Sequence, residues 1–178
     1  MAIGFKKVYS TEGIPAFQRV LENAQGGFTL DMTAAALTEG EEVKKGSLIM
    51  YDEETRKGTL VRTARVYEAG TGVTAVKVEK GHNLVVGADI NGVAVNAINT
   101  DNADYDVLTL ASAVDVAAGD ILATADVTGK QTGLLYEGVK AEENATLSVV
   151  IRGTVYANRI PPVDADQVPG TLILSNSN

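Results

Sequence analysis

The chain has 178 residues, no cysteine, no tryptophan, a single histidine and a formal charge of −8. This composition excludes disulfides and thiolate metal sites, leaves the usual catalytic triads and zinc clusters short of residues, and argues against nucleic acid, whose phosphates need Lys and Arg. A chain of this length fits one domain with short appendages and buries roughly 70% of its unfolded surface, in a core built from Val, Leu, Ile and Ala because only three Phe and six Tyr are present.

The opening "MAIGFKKVYS" has two lysines but no apolar stretch behind them. The longest aliphatic run, "LSVVI" at 147–151, is far below the ~20 residues of a membrane span. A soluble protein without cleaved signal or membrane insertion is expected. Residues 1–28 read as a separate N-terminal segment. Ile14, Phe17, Val20 and Leu21 have helical spacing, with Pro15 near a start and Gly26-Gly27 as a stop. The segment is therefore either one short helix or an extended arm that orders on a partner.

Residues 29–163 read as a β domain. Three phrases repeat a valine, two residues and a glycine before an apolar run: "VKKGSLIM", "VEKGHNLVV" and "VAAGDILATA". Their glycines, Gly46, Gly81 and Gly119, are unevenly spaced and the text between them differs, which rules out a solenoid of identical units. They predict one corner used three times, each with a positive φ glycine leading into a strand; equally, V-x-x-G is common in any β protein. "TLVRTARVY" at 59–67 alternates Leu60, Ala64 and Val66 against Val61, Thr63, Arg65 and Tyr67, with Arg62 interrupting the apolar face. Further short strands follow in "GVTAVKVEKG", "GHNLVVGADI" and "NGVAVNAI", with Asn91-Gly92 as a hairpin turn, and in "YDVLTLA" and "ATLSVVIRGTVYA". The whole predicts a small β barrel or sandwich with tight glycine corners. "NRIPPVDADQVPG" carries three of the four prolines and is expected to end regular structure, leaving 164–178 as a tail that frays at "SNSN".

Charge is distributed unevenly. Between Gly81 and Gly129 there is no Lys or Arg but seven Asp, leaving fifteen cations against sixteen anions elsewhere. A basic partner, or simple solubility, fits that segment.

Candidate chemistry fails on residue types. His82 follows a corner glycine and reads as a turn residue. Asn102, Asp104 and Asp106 have the spacing of the first ligands of a calcium loop, but Val107 replaces its turn glycine and Ala113 its bidentate glutamate. "TGKQTG" at 128–133 lacks the hydroxyl and upstream glycine of a phosphate loop and reads as a turn. Lys44, Lys45 and Lys80 precede corner glycines without the hairpin tip of a swinging-arm carrier domain. No catalytic, cofactor-binding or metal-ligating set is predicted, and an enzyme is not expected; a clustered carboxylate pair in a deep cleft would revive that class.

Several segments taken together, "GGFTLDMT", "VKKGSLIMYDEETRKG", "VKVEKGHNLVVGADI", "DNADYDVLTLASAVDVAAGDIL" and "LSVVIRGTVYANRIPP", resemble the head fibre proteins of tailed phages and prophages of gut anaerobes. The part "GLLYEGVKAEENATLSVVIRGTVYANRIPP" also resembles the end of lambda-type head decoration proteins, through an Arg-Gly-containing strand followed by an Ile-Pro exit. The first resemblance runs over most of residues 26–162 and the second over about thirty residues. It implies a β-tulip domain on the outer surface of a virion head, bound to the major capsid protein as a homotrimer, with an N-terminal arm adding to the capsid's sheets. Residues 1–30 would be that arm, although this chain is longer there than the compact decoration proteins. The alternative is a carbohydrate- or cell-surface-binding module using loops 68–72 and 99–106, for which Tyr51, Tyr67, Tyr105 and Tyr136 are the candidate aromatics.

Overall fold

The computed structural model describes residues 15–33 and 37–176; residues 1–14 of the expected helix or arm, and the end of the expected frayed tail, lie outside them. In chain order the strands are β1 (Phe17–Asn23), β2 (Phe28–Leu30), β3 (Glu42–Val43), β4 (Leu48–Asp52), β5 (Lys57–Val61), β6 (Thr63–Arg65), β7 (Gly70–Glu79) and β8 (Asp89–Ile90). They continue as β9 (Val93–Asn99), β10 (Tyr105–Val116), β11 (Ile121–Ala123), β12 (Gln131–Leu135), β13 (Val139–Lys140), β14 (Thr146–Leu147), β15 (Val149–Tyr156) and β16 (Leu172–Ser175). The fold is mainly β, as its alternating aliphatic text predicts. Its centre is a curled half-barrel sheet in the order β1-β15-β12-β4-β5-β2-β14, with β16 alongside β15.

Successive side chains of a strand point to opposite faces, and here both faces are buried. Leu48, Val61, Leu134 and Val150 enter one apolar cluster, while their neighbours Ile49, Leu60, Leu135 and Val149 enter another. Ile160, Val163 and Val168 cover the first face, and Phe28, Leu30 and Ala141 belong to the cluster on the second. A second lobe holds the sheet β7-β10-β9-β8 and the pair β11-β6. Its own core is formed by Val76, Val78, Leu108 and their neighbours.

The expected corners occur. Gly46, Gly81 and Gly119 have φ of 77°, 89° and 90°. The first leads into β4 and the third into β11, but the second does not lead directly into a strand: residues 82–88 have no regular structure. The hairpin at Asn91-Gly92 joins β8 and β9 with both residues at positive φ, 52° and 86°.

Three expectations are corrected. Residues 17–23 are a strand paired antiparallel with β15, not a helix or an arm that waits for a partner to order it. The register slips by one residue between Phe17 and Arg19 and again between Val20 and Glu22. The first of these bulges puts Phe17 and Val20, three apart, against the same core, which is the spacing that imitates a helix. The strand expected over 59–67 breaks at Arg62, where the chain passes from the large sheet to the second lobe; Leu60 and Ala64 therefore serve different cores. Regular structure also resumes beyond the prolines. After a short 3₁₀ turn at Ala157–Arg159 the chain runs irregularly, burying Val163 and Val168, and returns as β16, parallel to β15. Residues 164–176 are thus part of the core layer, with Leu172 buried within it.

Candidate functional site

The break at Arg62 and the loop after Gly81 meet in a polar hub between the large sheet and the second lobe. Arg62 is 3% exposed. Its guanidinium donates to the Asn83 carbonyl at 2.9 Å and to Glu41 Oε1 at 2.7 Å, and its backbone N–H donates to Thr124 Oγ1 at 3.0 Å. Burying a guanidinium is tolerable only with such partners. Asn83 is the second pivot. Its Oδ1 accepts the Thr63 N–H at 2.6 Å, and its Nδ2 donates to Ser47 Oγ at 3.4 Å. A cavity of about 130 Å³ lies against this hub, with Glu41, Lys44, Arg62, His82 and Asn83 among its walls.

His82 and Asp106 extend the hub. Both side chains are almost wholly buried, at 7% and 8% exposure. His82 Nδ1 accepts the Leu84 N–H at 3.2 Å. Its Nε2 lies 3.2 Å from Asp106 Oδ2 but off the line of a hydrogen bond, so that nitrogen has no hydrogen-bond partner. Asp106 pairs through Oδ1 with Lys80, which also donates to the Thr100 carbonyl at 3.1 Å. Burial pushes the His82 pKa below its ordinary value; Asp106 opposes that shift, and Lys44 and Lys80 reinforce it.

This arrangement reassigns the residues weighed from sequence. His82 is a ring fixed between β10 and its own loop, more than an ordinary turn residue. Asp106 faces Lys80 and His82, while Asp104 and Asn102 cap their own turn through the Asp104 N–H to Asn102 Oδ1 bond of 2.9 Å. The calcium-like spacing therefore does not converge. Lys80 is held by Asp106 rather than carried on a hairpin tip. The "TGKQTG" segment begins as a turn, with the Thr128 N–H donating to Asp126 Oδ1 and the Lys130 N–H to the Val127 carbonyl. Sequence reading marks Arg62 only as an interruption and offers no signal for Glu41 or Asn83, because their partners are brought together by the fold.

The tyrosines do not form one platform. Tyr67 and Tyr105 pair with centroids 5.3 Å apart and the Lys77 ammonium 5.1 Å above the Tyr105 ring. Tyr51 packs on Phe28, and Tyr136 on Phe17. A broader open groove of about 490 Å³ runs between residues 121–129 and Asp166-Gln167, with Asp126 and Asp166 on its walls. Among the described residues no helix is long and apolar enough to cross a membrane, and no three His, Cys, Asp or Glu cluster as metal ligands.

No family model, no curated protein and no solved structure matches this chain.

Proposed function

We propose that the chain is a structural virion protein that attaches, as a homotrimer, to the major capsid protein on the outside of a phage head, and there reinforces the shell or presents a host-facing surface. The observation that carries this reading is strand β1. It ends the large sheet, is paired only with β15 among the described residues, and carries Leu21 at 52% exposure. An edge strand offers a row of backbone donors and acceptors to another chain, the basis of attachment by strand addition. The sequence resemblance to head fibre and decoration proteins points the same way. The lysine- and arginine-free acidic segment suits the outside of a DNA-filled shell better than its interior. Three linked copies would raise avidity through effective concentration without any single strong contact.

The test is mass followed by capsid binding. Light scattering over a range of concentrations is expected to give a species near three times 18.6 kDa, and the protein is expected to co-sediment with shells of the major capsid protein from the same phage or prophage. Failure of the intact protein to co-sediment overturns the reading. The Tyr67–Tyr105 pair favours a second reading, a glycan-binding module, which predicts glycan-array binding lost in Tyr67→Ala and no capsid binding.

A further inference from the structure

The chain's only histidine lies where the second corner fails to lead into a strand. Residues 82–88 cross from β7 to β8 without regular structure, anchored at Asn83 by its bonds to Arg62, Thr63 and Ser47 and held by few others on either side of it. His82 Nδ1 accepts the Leu84 N–H, and the Gly87 N–H donates to the Val95 carbonyl at 2.8 Å. Leu84 is 5% exposed in the core of the second lobe, whereas Val86, two residues on, is 60% exposed. The loop thus plugs an apolar core with Leu84 and Ala88 and lines the hub cavity with His82, Asn83 and Val85.

We propose that His82 is an acid-released latch: as a neutral ring it holds loop 82–88 closed over the hub, and on protonation it lets the loop open, withdrawing Leu84 from the core.

The hydrogen bond to Leu84 fixes the tautomer. Nδ1 must carry a lone pair, so the ring proton is on Nε2. An imidazolium donates from both nitrogens, and its Nδ1–H would confront the Leu84 N–H. That contact cannot survive the added proton. The surroundings give the charge little compensation. Asp106 on β10 is nearest, but Lys80 at the end of β7 already occupies its other oxygen, and Lys44 at the first corner adds positive charge. Beyond them the cavity carries Glu41 and Glu42 beside Arg62, with Glu41 paired to that guanidinium. Burial is the largest influence on the ring and opposes its protonation, so a protonated ring is relieved by moving into water. Leu84 is two residues away and moves with it.

With one histidine in the chain, its imidazole resonances report one titration without assignment ambiguity. Hydrogen exchange at the Leu84 amide, corrected for the intrinsic pH dependence, is measured across the same range. Protection at Leu84 is expected to fall as the pH drops from the ordinary histidine value of 6.5 toward the His82 midpoint, by up to about tenfold per pH unit, and to level off below that midpoint. His82→Asn supplies the control. An asparagine oxygen also reaches the N–H two residues on and does not titrate, so protection in H82N should be independent of pH. Unchanged Leu84 protection through the histidine titration, or the same fall in H82N, overturns the latch. Should H82N not fold, Asp106→Asn serves. Removing the carboxylate charge is expected to shift the His82 midpoint to lower pH and the opening of Leu84 with it; a midpoint that moves without the opening overturns the latch equally.

Discussion

Asn83 Oδ1 accepts the backbone N–H of Thr63 at 2.6 Å, joining the irregular loop after β7 to the first residue of β6. Thr63 is wholly buried and Asn83 is 9% exposed, so water does not substitute for either partner. Asn83→Ala leaves the Thr63 N–H and Ser47 Oγ without their partner, and a buried orphan of this kind costs about 1–3 kcal/mol. Urea unfolding should show a lower midpoint at an unchanged slope. An unaltered midpoint would mean that the hub does not stabilise the junction.

Gly46 and Gly119 separate two reasons for a corner glycine. Both have positive φ, 77° and 90°, so alanine at either is strained by about 1–2 kcal/mol. A Cβ on Gly119 meets nothing within 4 Å, whereas one on Gly46 lies 2.1 Å from Ile160 Cγ2. Gly46→Ala therefore adds overpacking of about 1–3 kcal/mol and should melt at a lower temperature than Gly119→Ala. The reverse order would contradict the packing of Ile160 under the first corner.

How much of this was legible in the sequence depends on the range of the interactions. The corners and the Asn91-Gly92 hairpin are encoded by residues within four of one another, and the structure contains them as read except at Gly81, whose corner opens into an irregular loop instead of a strand. Leu48 and Ile49, like Leu134 and Leu135, enter cores on opposite faces of one sheet, which no reading of the apolar text anticipates because it does not say which strands neighbour them. Strand β1 is misread because the bulge between Phe17 and Arg19, set by its pairing with β15, converts a period of two into the three-residue spacing of Phe17 and Val20. The hub was illegible for the same reason: Arg62 meets Asn83 and Glu41 only after the fold closes distances of twenty-one residues in each direction. Prolines at 161, 162 and 169 do stop a ladder locally, yet they say nothing of the parallel return of β16.

Truncation tests the integration of β1. As a dispensable arm, residues 1–28 could be removed without loss of the fold. The structure gives the opposite expectation, since Ala16, Ala24 and Phe28 are 2%, 7% and 2% exposed, and β15 would lose a partner along most of its length. Deleting 1–28 should abolish the sharp thermal transition or leave an aggregating product in gel filtration, whereas loss of a peripheral arm would leave both unchanged. Removing 172–178 exposes β15 on its other side and should also lower the transition.

Acid should act on stability in two separate windows. Burial holds the His82 pKa below the ordinary 6.5, so between these values the unfolded chain binds more protons than the folded one. Stability is then fully present above about 6.5 and declines as the pH falls through the folded pKa of His82. Asp31, Asp52 and Asp126 lie below their ordinary 3.8 because each accepts hydrogen bonds: from the Thr33 hydroxyl and N–H, from the Glu54 and Thr55 N–H groups, and from Thr128. Their contribution is intact above 3.8 and is lost only as the pH falls below it, through their folded pKa values. A series of thermal melts should therefore be flat above the histidine range, decline once below it, and decline again in the carboxylate range. His82→Asn should remove the first decline and keep the second. A wild-type protein whose melting temperature first moves only below 3.8 would show that the burial of His82 carries no stability cost on protonation.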